Sequence, residues 1–489
     1  MATTIQQKPL YDTLPVGQQV VFTAFNSSAV ENFFNVKYIA EVHIGTTPIN
    51  LSTSDDLVAT FKTTPNNTGR GIFDFRPLLE SYVSPDNTGS ILQAESSSVS
   101  RYKGIPYTLN TPHPIHLIDK YARSENAIRY FAIKFSVEGS ALETAPVLII
   151  SNSEKNSVQY TFFNGVLQYD DYLTLAEETD AGALVAGNNY GYNLSANLFY
   201  PGSSVSNSKF LTNAPTTQYA NIDDYGTLAF LMFLPSSTDR MEYVRLKYYN
   251  SSGVQLGTHE DIGSTSPNGG ATTPHNLTTR LLYFGAFPAN LRGNGTTTFA
   301  GLVAAGTIQG GYYTITPRGV SGFQQEYRIN LNCPTLKGYE PIRLTWLNQW
   351  GVWDYYTFTQ KSVRSLSTNR TTYTQAQGTW NDEIYRIDGF KGGKKNFRVN
   401  STERIQVNSD FVSEADGRWF EELVNSPEVY IINGYDSNES APHNTITNKY
   451  VEPVLITTSS YIRKTVANDK LMQYSFEMER NRTQTTQTS

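Results

Sequence analysis

Apolar and polar residues alternate over short runs along most of this chain, and the clearest run is Pro341–Gln360, PIRLTWLNQWGVWDYYTFTQ. Ile342, Leu344 and Trp346 alternate with Arg343 and Thr345, the period-two pattern of a half-buried strand. Asn348–Gly351 predicts a turn, and Trp353–Phe358 a returning strand rich in the aromatic residues that strands favour. The stretch predicts a hairpin with three tryptophans near its closed end, whose rings bury enough area to anchor a β core. The same period recurs near the end of the chain. There Met472, Tyr474, Phe476 and Met478 face one way, and Gln473, Ser475, Glu477 and Glu479 the other.

Further strands are predicted over GQQVVFTAF, Val36–Ile44, Leu57–Lys62, Ala127–Val137, Ala145–Ile150, Thr227–Leu234, Tyr243–Asn250, LLYFGAFPANL, GGYYTITPRG and QEYRINLNC. Asn164-Gly165, between two apolar arms, is a strong short hairpin signal. A short helix is expected around Pro77–Tyr82, capped by Asp74 or a neighbour. One longer helix is expected over 413–425. Ser413 and Asp416 make a capping-box-like start, Ala415, Trp419 and Leu423 fall on one face beside Phe420 and Val424, and Asn425-Ser-Pro427 ends it.

A chain of 489 residues exceeds one core, which sets an expectation of roughly three domains. The Gly/Ser-rich stretch after Tyr200 and the strand spacing divide it into a 1–208 β domain with long polar loops (Ser84–Pro114 the longest) and a central 209–335 sandwich-like domain. A 336–489 β domain with the 413–425 helix and a frayed 480–489 tail completes it. The fold class expected is all-β and multidomain, with the capped helix packed on a C-terminal sandwich. No repeat of fixed period is present, which argues against a propeller or regular β-helix.

Charged residues are only 17% of the chain, so its surface is polar through hydroxyls and amides. A net charge of −6 argues against nucleic acid as a partner, because phosphate binding needs clustered Lys and Arg. The single cysteine, Cys333, excludes an intrachain disulfide and a cysteine zinc site. The N-terminus lacks the pattern of a signal peptide and no apolar run reaches the length of a membrane span, so synthesis in a cytoplasm without membrane insertion is expected.

Catalytic signals are lacking. His113-Pro-Ile-His116 is the one close histidine pair, without helical spacing or an acidic neighbour, and a solvated loop outweighs a metal site. Asp55-Asp56, Asp170-Asp171, Asp223-Asp224 and Glu421-Glu422 are adjacent in sequence, which is not how a glycosidase pair sits across a cleft. No nucleophile elbow, phosphate loop or dinucleotide fingerprint is present. Lys391-Gly-Gly-Lys-Lys395 fits an exposed turn better than an anion site. No enzyme activity, cofactor or metal is therefore expected. The residues singled out as core or interface anchors are Trp346, Trp350, Trp353, Tyr355 and Trp419.

FLTNAPTT, LLYFGAFPANL, RLTWLNQWGVWDYYTF, RWFEELVNSPEVYII and PVLITTSSYIRK…LMQYSFEMERNR occur in that order, after an N-terminal YIAEVHI…TGRGIFDFRPLLESYV. The series resembles virion structural proteins of tailed bacteriophages, particularly phages of marine and Bacteroidetes-type hosts. The strands and helix after Asn400 look like the sandwich with a packed helix of phage tail-tube and distal-tail proteins. The resemblance implies a tail, baseplate or neck ring protein acting as an assembly adaptor in the virion. Its partners would be other copies of itself and other tail or neck proteins. The alternative is a tail-associated adhesion protein that binds host-surface glycan, and a polysaccharide-degrading tailspike ranks last for want of a carboxylate constellation.

Overall fold

The computed structural model describes residues 3–53, 55–86, 88–91, 113–118, 121–124, 126–169, 171, 176–178, 190–192, 194, 208–231, 241–263, 281–293, 297–319, 322–331, 339–380, 383–387, 389–432, 451–458, 460–462, 472–480 and 484–488. The fold is all-β and multidomain, 48% strand and 12% helix, built of separate sheets packed in sandwich-like pairs. It divides into two compact units. The first holds Met1–Cys333 with Leu347–Asp354, and the second is drawn from Pro334–Trp346, Tyr355–Ser437 and Asn448–Ser489.

In the first unit, one sheet runs Thr13–Pro15, Tyr160–Phe163, Ile128–Ser140, Phe34–Gly45, Leu57–Thr63, with Leu148–Ile149 and Lys155–Asn156 also on Ile128–Ser140. A three-stranded sheet of Thr4–Gln7, Val21–Phe25 and Arg70–Asp74 packs on it through Phe22, whose ring meets Phe131, Phe135 and Tyr160. Alternation explains this layer: Tyr38, Ala40, Val42 and Ile44 all turn into the same core.

A second pair of sheets follows. Thr227–Leu231, Leu281–Gly285, Tyr121–Arg123, Thr88–Ile91 and His113–Pro114 form one, so strands from 1–208 and 209–335 share a sheet. The other runs Thr217–Ala220, Tyr327–Leu331, Tyr312–Gly319, Met241–Tyr249, Glu260–Gly263, with Gly322–Phe323 on Tyr312–Gly319. Phe210 fills the space between them, touching Phe230 and Tyr327. Buried tyrosines bridge the layers, with Tyr121 Oη donating to the Ile262 carbonyl and Tyr313 Oη to that of Ala286, each at 2.8 Å.

The second unit is one eight-stranded sheet and a helix. Its order is Trp353–Phe358, Ile342–Leu347, Val429–Ile432, Val451–Ile456, Ser475–Arg480, Gly393–Asn408, Val363–Gln375, with Gln484–Thr488 also on Gly393–Asn408. The helix Glu414–Asn425 starts in a capping box: the Ser413 hydroxyl accepts from the Asp416 amide while the Asp416 carboxylate accepts from the Ser413 amide. Trp419, Phe420 and Leu423 are its buried face, against Phe358, Tyr474 and Phe476.

Several expectations need correction. Ile342–Leu347 is buried on both faces, because Arg343 and Thr345 are covered as well as the apolar set. Asn164-Gly165 closes no hairpin. Tyr160–Phe163 pairs parallel with Thr13–Pro15, and the chain then turns so that the Gly17 amide donates to the Gly165 carbonyl and the Val166 amide to that of Gln349. Ala415 is exposed and Gly417 takes its place in the buried face, where a Cβ would strike the Tyr474 hydroxyl. Helices Ser27–Asn32, Pro288–Gly293 and Thr297–Ala304 interrupt segments expected to be β or loop. The tail expected to fray contains the strand Gln484–Thr488. The short helix is Arg76–Glu80, ending before Tyr82; its N-cap is Phe75 without a side-chain cap bond, and Asp74 one residue earlier accepts from the Arg76 amide at 3.1 Å. Most of the Ser84–Pro114 loop, the stretch after Tyr200 and Cys333 lie outside the described residues.

Candidate functional site

All five aromatic anchors are buried inside the chain. Trp346 packs against Trp419 at 4.9 Å between ring centroids. Tyr355 lies under the Arg343 guanidinium at 5.3 Å, and Arg343 also donates to the Thr357 hydroxyl at 2.7 Å. Trp350 and Trp353 belong to the first unit, where the Trp353 indole donates to the Asp86 carbonyl at 2.6 Å and its ring meets His116 edge-on. Asn348 shapes the turn between the two strands, its side-chain oxygen accepting from the amides of Trp350 and Val352. These residues are core, closed to any partner while the fold is intact.

The candidate chemistry is dispersed. The Asp223 carboxylate is taken up by Arg292, whereas buried Asp224 accepts from the Asn221 amide at 2.7 Å. Asp171 accepts from Gln168 and Gln349. His116 is buried, and among the described residues no group of three or more His, Cys, Asp or Glu is placed to hold a metal. Lys395, at the start of the strand Gly393–Asn408, donates to Gln375 on the paired strand and to the Phe390 carbonyl, so this ammonium is already engaged within the arm.

Two exposed features stand out instead. The first is a β arm in the second unit. Val363–Gln375 pairs with Gly393–Asn408 from Val363↔Gln406 to Gln375↔Gly393, and every residue of Val363–Gln375 is exposed. At ~3.3 Å per residue, the thirteen-residue strand runs about 40 Å; its outer backbone edge is unpaired among the described residues, while Gly393–Asn408 also pairs with Ser475–Arg480 and Gln484–Thr488 on its other side. Its end is folded by its own bonds: Thr379 Oγ1 donates to the Ile384 carbonyl, the Arg386 amide donates to Thr379 Oγ1, and the Trp380 indole donates to the Gln377 carbonyl. That ordered tip carries Trp380 at 72% exposure and Phe390 at 74%, together with exposed Ile384, Tyr385 and Ile387. By sequence, residues 363–400 hold seven Lys or Arg and three Asp or Glu, a net +4 on a chain of −6.

The second feature is a cleft of about 590 Å³ at one end of the sheet that includes Tyr312–Gly319 and Tyr327–Leu331. Register builds it: Tyr219, Asn330, Tyr312 and Tyr249 lie in one row across four strands. The Tyr249 and Tyr312 rings stack at 4.5 Å, and the Arg328 guanidinium lies on the Tyr312 ring at 3.6 Å. Arg328 Nε donates to Asn330 Oδ1 at 2.8 Å, which fixes the plane of the fork. Burial holds the Tyr249 phenol above its ordinary range, helped by the charge of Glu326, so it stays neutral beneath that cation. Tyr219 stands 62% exposed at the rim. The outward alternation of Thr217/Tyr219 and Arg328/Asn330 was a visible signal, but nothing in the sequence joined the two strands.

No family model matches the chain, and no curated protein does. Among solved structures, it is similar to native E. coli alpha-2-macroglobulin over 82% of this chain and 21% of that one, at 7% identity and a TM-score of 0.17. A likeness at that level carries no argument.

Proposed function

We propose that the chain is a non-enzymatic structural component of a tailed bacteriophage virion, a tail, baseplate or neck ring protein that acts as an assembly adaptor. It is made in the host bacterial cytoplasm and carried in the particle, with copies of itself and other tail or neck proteins as partners. The resemblance of its ordered sequence stretches to such proteins sets the class. The observation that carries the assembly role is the exposed arm with its apolar tip, because Val363–Gln375 is an edge strand exposed along its whole length and the tip leaves Trp380, Ile384, Ile387 and Phe390 in solvent, a patch that gains stability when a neighbour covers it. Ring-forming proteins make head-to-tail contacts of this asymmetric kind. Electron microscopy of purified particles labelled on this chain tests the proposal. Label in an axial ring is the expected result, and particles without the chain would overturn it.

A second reading, a tail-associated protein that binds host-surface glycan, is favoured by the exposed Tyr219 beside a polar cleft. Label at a fibre tip would select it over the first.

A further inference from the structure

We infer that the cleft around Arg328 binds a carboxylated saccharide. The inference rests on the glycan-binding reading and sharpens it to acidic sugars, and it leaves the assembly role of the arm untouched.

The volume, about 590 Å³, suits one or two sugar rings. Its walls favour a polar ligand, because Tyr219, Ser251, Ser252, Tyr312, Arg328 and Asn330 line it, with glycine backbone at 253 and 310–311 and Leu331 as the one aliphatic side chain. Hydroxyls, amide and exposed backbone match a polyol, which needs several hydrogen-bonding groups and one flat apolar face to stack upon. Tyr219 is that face.

Arg328 decides the charge of the ligand. Its guanidinium is held flat by the Tyr312–Tyr249 stack beneath and by Asn330 at Nε, which leaves the Nη donors as a preorganised fork. Among the described residues no carboxylate lies within ion-pair distance of it, and none lines the cleft. On a chain with six more acidic than basic residues, a cation fixed this way, with Glu326 two residues along the chain but no carboxylate in ion-pair contact among the described residues, is set to receive a carboxylate, by paired N–H···O bonds that a neutral sugar cannot make.

The test is binding of the full chain to an array of oligosaccharides ending in glucuronic, galacturonic or sialic acid, with the neutral sugar of the same linkage beside each. Calorimetry on the retained probes follows. The expected result is retention of at least one acidic saccharide, with its neutral counterpart about tenfold weaker or more. Arg328→Gln should lower the acidic affinity to that of the neutral sugar, Arg328→Lys should recover only part because a point charge lacks the fork, and Tyr219→Ala should weaken both sugars alike. All three variants alter outward-facing side chains, and unchanged melting temperatures would show that they fold. Retention of neutral glycans that Arg328→Gln does not alter would overturn the inference and leave the adhesion reading standing. Failure to retain any saccharide would overturn both.

Discussion

The indole rings of Trp346 and Trp419 lie 4.9 Å apart, inclined at 46°, one from the strand Ile342–Leu347 and the other from the helix Glu414–Asn425. Both are buried, and the contact joins the only capped helix of the second unit's described residues to the next-to-edge strand of its sheet. Trp346→Ala should cost roughly 3–5 kcal/mol, because the surrounding rings cannot collapse into the space an indole leaves. Trp380→Ala, at an exposed position, should change stability by no more than about 0.5 kcal/mol. Urea unfolding followed by far-ultraviolet circular dichroism compares the two. A Trp346→Ala midpoint equal to that of the wild type would contradict the packing described.

The same helix gives a graded series. Ser413→Ala removes the hydroxyl that takes the Asp416 amide and should cost about 1 kcal/mol. Trp419→Ala should cost roughly 3–5 kcal/mol and impair assembly. Glu421→Gln with Glu422→Gln should cost about 1 kcal/mol or less, since half-buried surface carboxylates contribute little. Should that double variant fold and assemble normally yet lose a glycan-degrading activity of the wild type, the non-enzymatic proposal is wrong.

The helix and the alternation from Met472 to Met478 were legible because each rule acts locally. Ser413 and Asp416 cap at a fixed spacing, and Met472, Tyr474, Phe476 and Met478 are all buried as their alternation requires. Ile342–Leu347 was half legible. Period two places Leu344 and Trp346 correctly, but Arg343 is buried by stacking over Tyr355, a pairing that alternation alone does not encode. The arm was illegible for a related reason. Val363–Gln375 carries only Val363, Leu366 and Tyr373 among Ser, Thr, Asn and Arg, and neither face is covered, so no period marks it as a strand. The cleft depends on register between strands more than a hundred residues apart in sequence, with Tyr219 beside Asn330, and no local motif reports that.

His43 introduces a pH dependence in the first unit. Burial lowers its pKa below 6.5, opposed by the nearby charges of Glu41 and Asp56 and aided by Lys134, and its Nδ1 meets no partner among the described residues. The sign follows from linkage: above pH 6.5 both folded and unfolded chains hold the imidazole neutral, so its contribution is complete. As pH falls through that value the unfolded chain takes up the proton first, and stability is lost until the folded pKa is passed. Between about pH 7.5 and about pH 5.5 the wild type should therefore lose more stability to urea than His43→Asn does. The extra loss is at most ~1.4 kcal/mol for each tenfold by which folding weakens proton binding at the imidazole. Equal slopes for the two proteins would show that the imidazole titrates as it does in water.

The arm makes the strongest case for assembly. Its tip presents Trp380, Ile384, Ile387 and Phe390 to solvent, and its paired strands hold together without them. Replacing the four with Gln, Lys, Lys and Gln in that order should leave the melting temperature within about 2 °C of the wild type, because no buried contact is removed. Covering four such side chains at an interface is worth roughly 1.5–3 kcal/mol each before the costs of association are subtracted. Their loss should weaken self-association roughly 100-fold or more, which sedimentation velocity across a dilution series would measure. A variant that assembles as the wild type does would remove the apolar tip from the interface. Assembly would then have to come from the unpaired backbone edge of Val363–Gln375, where a proline at a central position blocks strand addition without touching the tip.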